Sequence, residues 1–332
     1  MPSIIPIRMG HMYKFIILIV IALPLFSKPN RSRGYIRDDR SALINNYQDQ
    51  SSFLRSRSKS GFSEVSDSDL GAQRPVEDDS FGFGYYFGFD TKINYSSNPI
   101  ALPDNNEFRQ AAGIWENRLR NSFRLGVFDL GGASFSPLLG INLSSSTYFG
   151  DEYYDTADFD DQSLNLSFSG IFQFANGFSI RPNLSYNAQI KGGDILYNET
   201  APSLSIGKNF NFSSVVLFGD LSLGYFMTDS HPPHPALPDD ELNRAELSFV
   251  TGLYIPIGAF EINPLIGLTY SDYTNKSRKD FSTNLSLELK YNFAEWFFLS
   301  LHTNYTTRNS DDSQKDFSRF NLGSSASINA KF

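Results

Sequence analysis

The segment FGFGYYFGFDTKINY, residues 81–95, decides the fold. From Phe81 to Tyr95 nearly every odd position is aromatic or aliphatic, whereas most even positions carry glycine or a polar side chain. Successive side chains of a β-strand point to opposite faces, so this period of two predicts a strand between an apolar and a polar medium. A tilted strand crosses a bilayer with ~9–11 residues, and this segment is long enough to do so.

The same alternation recurs to the end of the chain, and "SLNLSFSGIFQF", "STNLSLELKYNF" and "FFLSLHTNYTTR" are its clearest repeats. One such segment is weak evidence, but a series of them indicates an all-β transmembrane barrel. We predict about twelve strands, at 81–95, 117–128, 133–149, 162–174, 178–190, 200–211, 215–227, 244–255, 260–271, 281–293, 296–307 and 317–332.

The predicted connections alternate in length, which is typical of an antiparallel up-and-down barrel with short periplasmic turns and longer extracellular loops. Long loops are predicted at 96–116, 150–161, 191–199, 228–243, 272–280 and 308–316. Short turns are predicted around Gly131 and Gly132 and at 175–177, 212–214, 256–259 and 294–295. The alternative is a soluble β-sandwich, but its strands would be shorter, ~5–6 residues on average, and its outer faces would be polar.

Composition excludes several classes of function. Of the 332 residues 40% are hydrophobic, yet the mean hydropathy is slightly negative, as expected when each strand shows one face to lipid and one to water. Cysteine is absent, so there is no disulfide framework, thiolate metal site or lipidated cysteine. A net charge of −8 argues mildly against a nucleic-acid partner.

The first 80 residues differ from the rest. Residues 1–27 are predicted to be a signal peptide that starts at Met12, with Lys14, an apolar run and a small Ser27 before the cleavage point. The mature chain is then expected to begin near Lys28; the alternative is a membrane-anchoring helix. Residues 28–80 are polar and predicted to be a disordered periplasmic leader, with a plug as the alternative, and the barrel would occupy 81–332.

The final strand carries a family resemblance. "FNLGSSASINAKF", which ends the chain, alternates apolar positions before a terminal aromatic. It resembles the C-terminal signal strand of bacterial outer-membrane barrels. That resemblance implies a place in the outer membrane among its lipids and insertion by the barrel-assembly machinery. The residues that would carry the assembly signal are Phe320, Leu322, Ile328 and Phe332.

The predicted inner faces are lined mostly by serine, glycine and asparagine. Eight strands make a barrel that side chains can fill, so a barrel of twelve with such small residues should hold water. We therefore expect a porin-like channel for passive diffusion of small polar solutes or ions; the alternative is a lumen plugged by loop 96–116 or by the leader. The predicted pore-lining residues are Lys92, Arg118, Arg120, Arg124, Arg181, Glu246, Glu261, Glu288 and His302.

These charges are unevenly placed, with the basic residues concentrated on strands 1 and 2 and the acidic ones on strands 8 to 10. In a twelve-stranded barrel strand 2 faces strand 8, and opposed charges of this kind select among ions. The alternative is local pairing that only neutralises interior charges.

Other chemistry finds less support. "GDEYYDTADFDD" at 150–161 and "HPPH" at 231–234 could attract cations but are better explained as a solvated acidic loop and a proline-stiffened loop. Twelve-stranded outer-membrane phospholipases use a Ser-His-Asn arrangement, but the residue two positions after His302 is Asn304 rather than serine. No nucleophile-elbow, zinc-protease or P-loop motif is present. We expect no cofactor, metal or enzymatic activity; a lipid-modifying enzyme or protease, and a surface receptor or adhesin, are the alternatives.

Overall fold

The computed structural model describes residues 83–99, 104, 111–150, 160–191, 193–230, 242–274 and 277–331. Twelve long strands form in this part of the chain. They are β1 (Gly84–Ser96), β2 (Ala112–Arg124), β3 (Ala133–Phe149), β4 (Asp161–Phe174), β5 (Phe178–Lys191), β6 (Asp194–Phe212), β7 (Val215–Ser230), β8 (Arg244–Ile257), β9 (Phe260–Tyr273), β10 (Lys279–Ala294), β11 (Phe297–Ser310) and β12 (Phe317–Lys331).

The strands close into one antiparallel up-and-down barrel. Each strand pairs with its neighbours in sequence, and the barrel closes where β1 pairs with β12, from Tyr86 opposite Lys331 to Ser96 opposite Asn321. Closure satisfies every strand edge with backbone hydrogen bonds, which is the requirement for a sheet inside a bilayer. In the described residues no helix has the length and apolar character needed to cross a membrane.

The predicted fold class and strand order are confirmed, and β2 shows the first correction. The prediction placed this strand at 117–128, but it begins at Ala112 and its regular ladder ends at Arg124. The start was missed because Ile114 and Trp115 are adjacent apolar residues that break the period of two. Pairing with β1 and β3 nevertheless gives their backbone groups partners on both sides. After an irregular stretch the two-residue strand Phe128–Asp129 pairs again with the start of β3.

The second correction concerns the predicted long loop at 191–199, which is wrong. β6 begins at Asp194, so only residues 192 and 193 separate it from β5. The polar run around Glu199 resembles a loop in sequence. Glu199 is nevertheless buried in the barrel, where it forms an ion pair with Arg244. Gly193, with a φ of +94°, provides the backbone conformation that the tight connection needs.

The barrel is built inside out relative to a soluble protein. Large apolar side chains such as Leu223, at 58% exposure, cover its outer surface, whereas most of its buried residues are polar or charged. Outward aromatic residues concentrate near the two rims, with Trp296 and Phe260 at the short-turn end and Trp115 and Tyr305 towards the loop end. An apolar band between aromatic girdles is the surface that a barrel presents in a bacterial outer membrane. The protein is an outer-membrane β-barrel.

Several predictions lie outside the described residues. These are the signal peptide and leader at 1–80, the "HPPH" segment at 231–234, most of the acidic loop at 150–161, and Phe332. Within the described last strand, Phe320, Leu322 and Ile328 share the outward face, so the alternation that led to the assembly-signal prediction is present. The role of this strand in assembly stays a prediction.

Candidate site in the barrel interior

The candidate site is the inner wall of the barrel. The alternation of side chains along each strand shows which residues face it. On β1 the exposed side chains are odd-numbered, such as Ile93, so even-numbered Lys92 points inward. The same rule turns each charged residue predicted to line the pore towards the interior. Arg124 fits this arrangement because Gly84 leaves room for it: a Cβ on Gly84 would lie 3.2 Å from Arg124 Nη2.

Most of these inward charges form ion pairs with a residue on the same or a neighbouring strand, or one strand further away. The pairs are Arg118 Nη2 with Glu116 Oε1 at 2.7 Å, Arg120 Nη2 with Asp90 Oδ2 at 2.9 Å, Lys290 Nζ with Glu261 Oε2 at 3.2 Å, and Arg181 with Asp220. Opposite unit charges held this close largely cancel each other's field at longer distances. Many of the charges on which the transverse-field prediction rested are therefore paired locally, which is the alternative weighed from sequence.

Glu246 belongs to a buried cluster centred on Arg244, the first residue of β8. Arg244 donates to Glu246 Oε1 at 2.6 Å and to Glu199 Oε2 at 2.9 Å, and its guanidinium carbon lies 4.5 Å from the ring centroid of Phe226. Ser271 also donates to Glu246. The prediction named Glu246 but missed its partners: Arg244, at the predicted start of the same strand, and Glu199, which was placed in a loop.

A second buried cluster near the loop end was also missed. Asp280 is 1% exposed and accepts two hydrogen bonds from Arg278, at 2.6 and 2.9 Å. Tyr273 donates to the same carboxylate at 3.2 Å, and Arg308 Nε lies 3.9 Å away. Asp280 was expected in loop 272–280; its even number, which it shares with the inward Glu288, is the signal that could have found it.

Two cavities lie along the inner wall, and they meet at mid-barrel. The cavity on the loop side has a volume of about 140 Å³ and that on the turn side about 130 Å³. Lys92, Glu288 and Ser325 line both of them. We call the region around these three residues the junction. Polar and charged side chains therefore line both cavities at the point where they adjoin.

The junction contains two charges that form no ion pair within the part of the chain that the structure describes. Among the described residues, neither Lys92 nor Glu288 lies within salt-bridge distance of an opposite charge. Glu288 instead accepts a hydrogen bond from Asn263 Nδ2 at 3.1 Å. This distinguishes the two from the paired charges on the same wall.

The loop-side cavity also carries polar atoms that no protein group satisfies within the described ranges. They are Ser96 Oγ, Asn284 Oδ1, Ser286 Oγ and Asn321 Oδ1. Buried polar groups are nearly always hydrogen-bonded, so groups of this kind bind water or the polar atoms of a solute. The cavity therefore suits a hydrated or hydrogen-bonding occupant.

His302 lines the same cavity, and its Nε2 lies 2.6 Å from Asn94 Oδ1. Across the ladder Gly323 separates them, because Gly323 pairs with Asn94 on one side and with His302 on the other. His302 is thus part of the inner wall rather than of the lipid-facing surface. In the described part of the chain there is no group of three or more histidine, aspartate and glutamate residues that could hold a metal ion.

No model of a known protein family and no curated protein matches this chain. Among solved structures, an outer membrane channel from Pseudomonas putida aligns with 80% of this chain and 100% of its own, at 11% identity and a TM-score of 0.48. An anion-selective porin from Comamonas acidovorans aligns with 75% of this chain and 99% of its own, at 12% identity and a TM-score of 0.38. The β domain of the Bordetella autotransporter BrkA aligns with 74% of this chain and 98% of its own, at 12% identity and a TM-score of 0.39. Identities and TM-scores this low do not identify a solute for this barrel.

Proposed function

We propose that this outer-membrane barrel is a channel through which small polar solutes or ions diffuse passively. The observation that carries the proposal is the pair of polar cavities that meet at Lys92, Glu288 and Ser325. A lumen filled by packed apolar side chains would exclude water, whereas hydroxyl, amide and charged groups with unsatisfied atoms favour it. His302 lies on the inner wall, hydrogen-bonded to Asn94, rather than on the lipid-facing surface where an enzyme that acts on membrane lipids would need it.

The proposal is tested by single-channel recording of the full chain in a planar lipid bilayer. We expect discrete conductance steps that grow with salt concentration. A folded barrel that inserts but shows no steps would contradict the channel and favour a plugged, receptor-like protein.

A matched pair of substitutions tests whether the path runs through the junction. Ser325 faces inward there and is 8% exposed, and the adjacent Ser324 faces outward. Ser325→Tyr should lower the conductance because its ring occupies the path, whereas Ser324→Tyr should leave it unchanged. Equal conductance in both variants would place the path elsewhere in the barrel.

A further inference from the structure

We infer that the junction is the selectivity site of the channel, at which Lys92 and Glu288 together favour small zwitterionic solutes, such as free amino acids, over uncharged solutes of similar size. The inference rests on the proposed channel and names its solute class.

The first step is that three of the four other arginine and lysine side chains on the two cavities are compensated. Arg118, Arg120 and Lys290 each form an ion pair at 2.7 to 3.2 Å with a carboxylate that lines the wall. Arg319 is held at the loop end of its cavity, with its guanidinium carbon 5.8 Å from the Phe317 ring centroid. A passing solute meets the three ion pairs as dipoles, whose fields fall off faster with distance than those of single charges.

The second step is that Lys92 and Glu288 lie at nearly the same level along the strands but three strands apart on the wall. Lys92 pairs with Ser325 on β12, which pairs with Ser300 on β11, which pairs with Lys290, two residues from Glu288. Three strand spacings of about 4.8 Å separate β1 from β10 along the wall, or roughly 14 Å. Both side chains extend into the lumen, so the positive and the negative charge act across the same path.

The third step is the class of solute that such a pair favours. A simple anion is attracted by Lys92 and repelled by Glu288, and a simple cation experiences the reverse, so neither gains much. A zwitterion can turn its carboxylate towards Lys92 and its ammonium towards Glu288 and gain from both. Beyond the junction, Asn284 Oδ1 and Asn321 Oδ1 are buried acceptors that have no hydrogen-bond partner among the described residues and can replace water around the ammonium.

The experiment compares the rates at which serine, a zwitterion, and erythritol, an uncharged solute of similar size, swell liposomes that contain the full chain. Serine should enter faster than erythritol. Lys92→Gln and Glu288→Gln should each lower the ratio of the serine rate to the erythritol rate roughly threefold, the effect of one unit charge several ångströms away in water. The matched controls Lys208→Gln and Glu295→Gln remove the same charges from exposed positions near the short turns and should leave the ratio unchanged.

Ion selectivity in a salt gradient provides a second readout. The wild type should discriminate weakly between potassium and chloride, Lys92→Gln should favour the cation, and Glu288→Gln should favour the anion. The exchange variant Lys92→Glu with Glu288→Lys keeps both charges and should retain the preference for serine.

The outcomes separate the two claims. If erythritol enters but the serine ratio ignores both single substitutions, the inference is wrong and the channel stands. If neither solute enters and no current flows through folded barrels, the proposed channel fails and the inference with it.

Discussion

Gly323 shows at the scale of one residue how closely the inner wall is built. A Cβ at this position would collide with Asn94 Oδ1 and would lie 2.6 Å from the backbone oxygen of Ile93 and 2.9 Å from His302 Nε2. A side-chain oxygen can move away, but the backbone oxygen is held in the ladder between β1 and β12. Glycine is therefore required here because Asn94 and His302 meet directly over it.

We predict that Gly323→Ala lowers the free energy of unfolding by about 1–3 kcal/mol, the usual cost of forcing an extra carbon into a packed site. Urea unfolding of the barrel in lipid vesicles would measure it. Gly219→Ala is the matched control, since among the described residues its Cβ would meet only Phe249, at 4.0 Å. Equal stability of the two variants would show that the wall around Gly323 can relax.

At the scale of one strand, the alternation of faces sets what each position tolerates. On β7 the outward Leu221, Leu223 and Tyr225 are exposed, whereas Asp220 and Phe226, which flank them in sequence, are buried. The outward residues face lipid, and how much a charge costs there depends on depth. Strands of this length therefore have an intolerant middle and tolerant ends.

We predict that Leu223→Arg, in the middle of β7, lowers the free energy of unfolding by about 2–4 kcal/mol, whereas Phe212→Arg, at the short-turn end of β6, costs about 0–1 kcal/mol. The two side chains have nearly equal exposure, 58% and 59%, so that depth in the membrane is the main difference between them. Unfolding titrations in vesicles would measure both. Equal costs would contradict the placement of the membrane.

At the scale of the whole molecule, aromatic contacts strengthen the rim at the short-turn end. Ring centroids lie 4.8 Å apart for Phe260 and Tyr291, 4.5 Å for Tyr291 and Phe293, and 5.6 Å for Phe293 and Phe297. Aromatic rings of this kind sit at the level of lipid headgroups. The two tryptophans of the chain, Trp115 and Trp296, are both exposed and lie towards opposite rims.

We predict that both tryptophans lie near the membrane interfaces. The variants Trp115→Phe and Trp296→Phe leave one tryptophan each, whose fluorescence can be quenched by lipids brominated at different depths. Bromines near the headgroups should quench each variant more than bromines near the chain ends, because the rings anchor at the interface. Stronger quenching from the bilayer centre would mean that the barrel sits differently in the membrane.

The sequence by itself determined the class of fold, the order of the strands and the face on which each side chain lies. It could do so because the period of two is a local property of an extended chain between two media. It failed locally at β2 and β6, where the pattern breaks at Ile114–Trp115 and at the polar run around Glu199, although pairing with neighbouring strands keeps both segments in the barrel.

Only the tertiary structure decided which interior charges are compensated. Arg244 and Glu199 are 45 residues apart and His302 and Asn94 are 208 apart, and their contacts follow from the register and closure of the barrel. The alternation along each strand predicted that Lys92, Arg120 and the other charges face inward. It could not show that Arg120 has Asp90 beside it, whereas Lys92 has no ion-pair partner among the described residues. The physical reason is that the face of a side chain is set by its own strand, whereas its electrostatic partner is set by how neighbouring strands align.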